Sequence, residues 1–121
     1  MALDRMRLGK SFAYAWRGLT WSFAHNPNLQ IHCAVALIVL LAAWFFQLGP
    51  YEVGIVGVAI LFVLSAEMIN TSIEEMTNLI VSEHRREAQI AKDVAAGMVL
   101  LATIGAVIIG LFVFVPHLLA F

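Results

Sequence analysis

The sequence predicts an all-α integral membrane protein with an N-terminal amphipathic surface helix followed by three transmembrane helices. Of its 121 residues, 62% are hydrophobic and 12% are charged, whereas about a quarter of the residues in a soluble domain are charged. Three long stretches lack Asp, Glu, Lys and Arg, namely 29–48, 53–66 and 94–121. We expect one membrane domain over residues 1–121, with no nucleic-acid partner.

The first element is predicted to be an interfacial helix over about residues 5–25. Its apolar residues recur at helical spacing, so they share one face, and basic and aromatic residues share the opposite face. The apolar face is Leu8, Phe12, Trp16, Leu19 and Phe23, and the opposite face is Arg7, Lys10, Tyr14, Arg17 and Trp21. Such a helix lies along a membrane surface with its apolar side in lipid. The basic residues exclude a signal peptide.

A proline separates the interfacial helix from the first span. Pro27 disfavours helical geometry at the residue before it and readily opens the next helix. Span 1 is predicted over 29–48, and Gly49-Pro50 is predicted to form the tight turn that follows. The single cysteine, Cys33, lies inside span 1, which excludes an intrachain disulfide.

The second and third spans are predicted over 53–80 and 92–116. A membrane span needs roughly 20 apolar residues, so the uncharged stretch 53–66 becomes a span only if its helix continues through Glu67 and Glu74. The loop 81–91 between the spans is strongly polar.

The distribution of basic residues predicts the orientation. All seven Lys and Arg lie either before span 1 or between spans 2 and 3. By the positive-inside rule, the N-terminus and the 81–92 loop are cytoplasmic. We therefore expect a multi-pass membrane protein whose short turn after span 1 and C-terminus lie outside. Because three helices make a thin bundle, a homo-oligomer that shields the membrane acids is also expected.

A stripe of polar residues runs along the second span. Its members are three or four positions apart and so share one helix face; they are Glu67, Asn70, Thr71, Glu74 and Asn78. An ionised acid at membrane depth costs free energy unless it is paired, binds a metal or contacts water. Such an acid is therefore a functional candidate. Two alternatives stay open. Glu67 could pair with a basic residue of a neighbouring chain, or the acids could form a cation or proton pathway as in small drug transporters.

These residues also carry a family resemblance. The run from Glu67 to Glu74 resembles the signature of the bacterial diacylglycerol kinase family, which includes undecaprenol kinases. Ala91-Lys92-Asp93 followed by Ala95-Ala96-Gly97 is similar to its second motif, and the resemblance extends to 14–19 and 28–32. It covers nearly the whole chain and implies a homotrimeric lipid kinase that uses ATP and Mg²⁺.

The resemblance implies a role for each matching residue. Glu67 is the implied general base, with Asn70 as an orienting catalytic amide. Glu74 is the implied metal ligand, joined by the position of Asn26. The implied nucleotide contacts are Arg7, Tyr14, Glu74, Glu83, His84, Arg85, Lys92 and Asp93. The implied lipid contacts are Lys10, Trp16, Asn28, His32, Glu67 and Ala96.

Two positions depart from the family pattern. Asn26 occupies the position of a glutamate that completes the magnesium site, and Asn78 occupies the position of an aspartate. An amide oxygen can ligate a hard cation but adds no charge, so weaker Mg²⁺ binding is expected. Glu75 is adjacent to the stripe and could compensate.

The residue types suit phosphoryl transfer independently of the resemblance. That reaction needs a cation-neutralised triphosphate and an oriented hydroxyl, with little covalent work by the protein. No Gly-x-x-x-x-Gly-Lys loop is present, so side chains must build the phosphate site. The expected acceptor is undecaprenol first and diacylglycerol second. A non-catalytic relative that binds lipid or nucleotide is the alternative within the family.

Overall fold

Four α-helices make up the part of the chain that the structure describes. The structure is a computed structural model that describes residues 2–80 and 85–121. The helices are α1 (Ala2–His25), α2 (Pro27–Phe45), α3 (Pro50–Ile80) and α4 (Arg86–Ala120). Helices α2, α3 and α4 are long and apolar enough to cross a membrane. The predicted all-α architecture of one leading helix and three spans is confirmed.

Helices α3 and α4 are longer than a bilayer is thick. They contain 31 and 35 residues, which at 1.5 Å per residue is about 46 Å and about 52 Å. The hydrocarbon core is about 30 Å thick, so one end of each helix extends beyond it. Helix α4 begins at Arg86, inside the range 81–91 that was predicted as a loop. Glu87, Ala88 and Gln89 are good helix formers and continue the helix despite their polarity.

The connection between α1 and α2 is a single residue. Asn26 has extended φ and ψ angles of −112° and 103°, and its side chain caps α2 by accepting a hydrogen bond from Leu29 N at 3.2 Å. Pro27 occupies the first helical position, where its missing N–H is not needed. The predicted break at Asn26-Pro27 therefore ends one helix and starts the next without an intervening loop.

The turn between α2 and α3 is centred on Gln47 and not on the predicted Gly49-Pro50. Gln47 has a positive φ of 54°. The hydrogen bonds from Leu48 N to Ala43 O (3.1 Å) and from Gln47 N to Trp44 O (3.2 Å) complete a Schellman motif. Consequently α2 ends at Phe45, earlier than the predicted residue 48, and Pro50 begins α3.

The most extensive helix contact joins α3 to α4. Small and branched side chains fill it, with Val63, Ala66 and Ala102 buried together. Small residues allow the close approach that drives helix association in lipid. At the far end of this pair, His117 Nε2 lies 2.7 Å from Glu52 Oε2. These two contacts, at different positions along the pair, show that α3 and α4 are antiparallel neighbours. The polar stripe of α3 contacts the α1–α2 junction.

Candidate functional site

The polar stripe of α3 changes from buried to exposed along its length. Glu67 is 2% exposed, and Asn70 and Thr71 are also buried, whereas Glu74 and Asn78 are exposed. The stripe runs roughly 16 Å from Glu67 to Asn78. The two acids therefore lie in different environments, one enclosed by protein and one open.

Asn26 connects the α1–α2 junction to the stripe. Its Nδ2 donates a hydrogen bond to Glu67 Oε1 at 3.2 Å and a second to Thr71 Oγ1. Thr71 Oγ1 in turn donates to the backbone oxygen of Glu67 at 3.0 Å. These contacts join residues more than forty positions apart in sequence and hold the Glu67 carboxylate from one side.

His32 lies on the other side of the same carboxylate. Its Nε2 is 3.9 Å from Glu67 Oε2, which is too long for a hydrogen bond. The His32 side chain is half-buried, at 24% exposure. One carboxylate oxygen of Glu67 is thus held by Asn26, and the other faces His32.

Asn70 links the buried and exposed parts of the stripe. Its Nδ2 donates to Glu74 Oε1 at 3.4 Å. Its Oδ1 is buried and accepts no hydrogen bond within the described residues. Buried polar atoms are rarely left unpaired, so Asn70 Oδ1 is an acceptor that a bound group could use.

The predicted second motif lies opposite the exposed end of the stripe. Lys92 Nζ donates to Asn78 Oδ1 at 2.7 Å, which joins the start of α4 to the end of α3. Asp93 is exposed and accepts a hydrogen bond from Gln89 Nε2 at 2.8 Å. The Lys92 ammonium is paired here with a neutral amide, so its charge is not cancelled by this contact.

An open cleft of about 780 Å³ separates α1 from α3. It is lined by Arg17, Trp21 and Ser22 from α1 and by Thr71, Ser72 and Glu75 from α3, among others. Thr71 therefore borders both the cleft and the Asn26–Glu67 network. Thr71 lies on the predicted stripe but has no predicted role; its four-residue spacing from Glu67 was the available signal.

The predicted contacts on α1 are less closely connected to the stripe. Arg7, Lys10, Tyr14 and Trp16 are exposed. The guanidinium of Arg17 lies 5.5 Å from the centre of the Tyr14 ring, a cation–π distance. No described contact brings these four side chains to Glu67 or Glu74.

The remaining predicted residues lie around the site or outside the described part. Asn28 and Ala96 are exposed on α2 and α4, and Arg85 is the exposed residue that precedes α4. Glu83 and His84 lie outside the described residues.

A second, apolar groove of about 230 Å³ runs between α2, α3 and α4. His32 is at one end of its lining, and Val39, Val63 and Phe114 are among the apolar residues along it. The groove therefore begins at the residue that faces the Glu67 carboxylate.

The donor set fits a magnesium ion only in part. No group of three or more His, Cys, Asp or Glu is gathered among residues 2–80 and 85–121. Mg²⁺ is commonly held by one or two carboxylates together with substrate phosphates and waters, a role open to the exposed Glu74. Asn26 does not fit this role, because its oxygen caps α2 and its NH₂ group faces α3.

Comparison with known proteins places the chain in a family. Residues 13–114 match the family model described as prokaryotic diacylglycerol kinase. A diacylglycerol kinase of Synechocystis is 40% identical over 111 residues, covering 91% of this chain and 63% of that protein. The chain therefore spans less than two thirds of the length of this relative.

Two further relatives are covered over most of their length. The undecaprenol kinase of Bacillus subtilis is 38% identical, with 93% of this chain and 91% of that protein covered. The diacylglycerol kinase of Escherichia coli is 31% identical, with 84% of each chain covered. The chain, with its three apolar helices and its polar stripe, belongs to the prokaryotic diacylglycerol kinase family of lipid kinases.

Proposed function

We propose that the chain transfers the γ-phosphoryl group of ATP to the hydroxyl of a membrane lipid alcohol. The observation that carries the proposal is the stripe of α3, in which a buried carboxylate, Glu67, lies about two helical turns from an exposed carboxylate, Glu74, to which Asn70 donates a hydrogen bond. A base within the membrane suits a lipid acceptor, and an acid at the exposed end suits a water-soluble nucleotide.

Membrane geometry supports this division. If the hydrocarbon core begins near Val53, about 20 residues of α3 cross it, which places the second boundary near residue 72. Glu67 then lies inside the core and Glu74 just beyond it. A lipid hydroxyl can approach the first acid from the bilayer, and ATP can approach the second from water.

Glu67 would act as the general base. The acceptor proton passes to the Glu67 carboxylate, the acceptor oxygen forms a bond to the γ-phosphorus, and the bond from that phosphorus to the bridging oxygen of ADP breaks. Because Asn26 donates a hydrogen bond to Oε1, we assign the proton to Oε2.

The nucleotide would lie at the exposed ends of α3 and α4. Lys92 brings a positive charge there, and Arg7, Tyr14, Glu83, His84, Arg85 and Asp93 stay predicted contacts. Glu74 would hold the Mg²⁺ that, when bound, neutralises phosphate charge. The Asn70 amide keeps the Glu74 carboxylate in place through Nδ2.

The apolar groove beside His32 supports a lipid acceptor. A lipid whose hydroxyl meets Glu67 can extend its hydrocarbon along the groove towards Phe114. We rank undecaprenol first and diacylglycerol second, with Lys10, Trp16, Asn28, His32 and Ala96 as contacts. The relatives that carry the two names are both similar to this chain.

We further infer a homotrimer in the bacterial inner membrane, with the N-terminus and the 81–92 loop in the cytoplasm. The trimer rests on the family resemblance, and copies packed around a thin three-span bundle would shield its membrane-depth polar residues from lipid. Light scattering of the protein in mild detergent should give three times the mass of one chain.

Phosphate transfer in mixed micelles tests the reaction. The purified protein with ATP and Mg²⁺ should phosphorylate one lipid of a panel that contains undecaprenol and diacylglycerol. Removal of a general base costs roughly 100-fold or more, so Glu67→Gln should lower kcat by that factor. Glu87→Gln, an exposed acid at the start of α4, is the matched control and should retain the parent rate.

Two results would contradict the proposal. Transfer to no lipid would favour a non-catalytic relative. Proton-coupled uptake of a cationic dye into liposomes, lost in Glu74→Gln, would favour a transporter.

A further inference from the structure

We propose that Asn26 is a positioning residue for Glu67 and not a metal ligand, an inference that rests on the proposed function. Asn26 is 9% exposed and lies at the one-residue junction between α1 and α2. Every hydrogen-bonding group of this residue has a partner, and together the partners fix which edge of the amide faces the site.

The partners determine the orientation of the amide. Leu29 N–H can only donate, so the atom that faces it at 3.2 Å is the oxygen, Oδ1. Thr71 has one hydroxyl hydrogen, which it donates to Glu67 O at 3.0 Å. Towards Asn26, Thr71 can therefore only accept, and the nitrogen must face it. If the amide were flipped, its NH₂ group would face the N–H donor of Leu29. Its oxygen would then face the oxygens of Thr71 and Glu67, and neither side could form its hydrogen bond.

This orientation sets what Asn26 offers to the reaction. The edge of the amide that faces α3 is the NH₂ group, whose hydrogens carry partial positive charge and repel a cation. The same NH₂ group donates a hydrogen bond to Glu67 Oε1 at 3.2 Å, within the usual range for N–H···O bonds. Asn26 thereby holds one oxygen of the base and leaves Oε2 directed towards His32.

The connection also couples the base to the helix junction. Backbone N–H of Asn26 donates to Ser22 O at 2.9 Å, and its backbone oxygen accepts from Gln30 N at 3.2 Å. The residue is thus anchored to α1 and α2 before its side chain reaches α3. A donor on a residue held in this way can fix a carboxylate more firmly than a donor on a side chain that is free to change its rotamer.

Two substitutions separate the positioning role from the cap. Asn26→Asp and Asn26→Ser both retain a good N-cap oxygen, and both lose the N–H donors to Glu67 and Thr71. Misplacement of a catalytic group costs on the order of 10- to 100-fold. We expect kcat to fall by that factor in both variants, with the KM values for ATP and lipid unchanged. The melting temperature should be unchanged in Asn26→Ser and lower in Asn26→Asp, whose added carboxylate lies beside the buried Glu67.

Substitutions at Thr71 provide the conservative rescue. Thr71→Val removes an acceptor of Asn26 and should lower kcat, whereas Thr71→Ser retains the hydroxyl and should restore it. Thr77→Val is the matched control on the same helix, because within residues 2–80 and 85–121 the Thr77 hydroxyl bonds only to the carbonyls of Ile73 and Glu74. It should leave kcat unchanged.

A metal-binding measurement supplies a readout other than activity. Electron paramagnetic resonance of Mn²⁺, with a non-hydrolysable ATP analogue, should give the same Mn²⁺ affinity for the parent and for Asn26→Ser. Weaker Mn²⁺ binding in Asn26→Ser would show that Asn26 is a ligand and would overturn the inference.

Failure of this inference can be distinguished from failure of the proposed function. Parent-like kcat in both Asn26 variants, beside an inactive Glu67→Gln, overturns the inference alone. A parent protein that phosphorylates no lipid overturns both.

Discussion

At the scale of single residues, the two acids of the stripe have contrasting surroundings. Glu67 is enclosed, with Asn26 bound to one oxygen and His32 near the other. Glu74 is exposed and has the Asn70 amide as a neighbour at 3.4 Å. An enclosed carboxylate suits exchange of a proton with a lipid hydroxyl, and an open one suits a hydrated cation. The two roles are therefore not interchangeable.

The Glu74→Gln variant tests the role of the exposed acid. Loss of a carboxylate should raise the Mg²⁺ concentration for half-maximal rate by at least about tenfold, since disturbing even supporting residues of a metal site costs 10- to 100-fold. A titration of the rate with Mg²⁺ measures this.

The neighbouring Glu75→Gln variant shows whether Glu75 compensates. Glu75 is exposed and lines the α1–α3 cleft, so a similar rise would assign it to the metal site as well. If Glu74→Gln leaves the Mg²⁺ requirement unchanged, Glu74 is not a ligand.

The sequence could predict which α3 residues share a face but not what touches them. Helical spacing alone places Glu67, Asn70 and Glu74 together. The amide direction of Asn26 depends on a cap and on a contact with Thr71, 45 positions away, and no local pattern encodes that contact. A residue predicted as a metal ligand is therefore found as a hydrogen-bond donor.

At the scale of elements, the helix junctions decide how the site is assembled. Asn26 joins α1 to α2 directly, and Gln47 reverses the chain before α3. Both breaks were predictable from Pro27 and Pro50. The centre of the first, Asn26, was also predicted, but the centre of the second was not. The sequence favoured Gly49 for the reversal, whereas Gln47 adopts the left-handed conformation of a Schellman motif, in which Gln47 N donates to Trp44 O and Leu48 N donates to Ala43 O.

The Gln47→Gly variant tests this turn. A left-handed conformation costs an L-residue roughly 1–2 kcal/mol, and glycine avoids that cost but loses about 0.5–1 kcal/mol of backbone entropy on folding. We expect a net gain of up to about 1 kcal/mol in the free energy of unfolding, measured by thermal denaturation in detergent. Gln47→Ala should give no gain. A lower melting temperature in Gln47→Gly would show that the left-handed turn is not strained.

At the scale of the whole molecule, the groups proposed to meet the nucleotide lie at one end of the α3–α4 pair. Lys92, Asn78 and Glu74 lie where α3 and α4 extend beyond a core of about 30 Å. The Gln47 turn and the Glu52–His117 pair lie at the opposite end. The number of spans followed from hydropathy, and the charge asymmetry predicts which end faces ATP.

Labelling of single cysteines tests that orientation. In a Cys33→Ser background, which removes the native thiol, Gln47→Cys should react with a membrane-impermeant maleimide in intact cells because the turn is predicted to lie outside. Glu87→Cys, at the start of α4, should react only after the membrane is opened, because seven basic residues beside the α1 and α4 ends retain those segments in the cytoplasm. The reverse pattern would place Glu74 and Lys92 outside, away from cytoplasmic ATP, and would contradict the proposed nucleotide site even if Glu67 were catalytic.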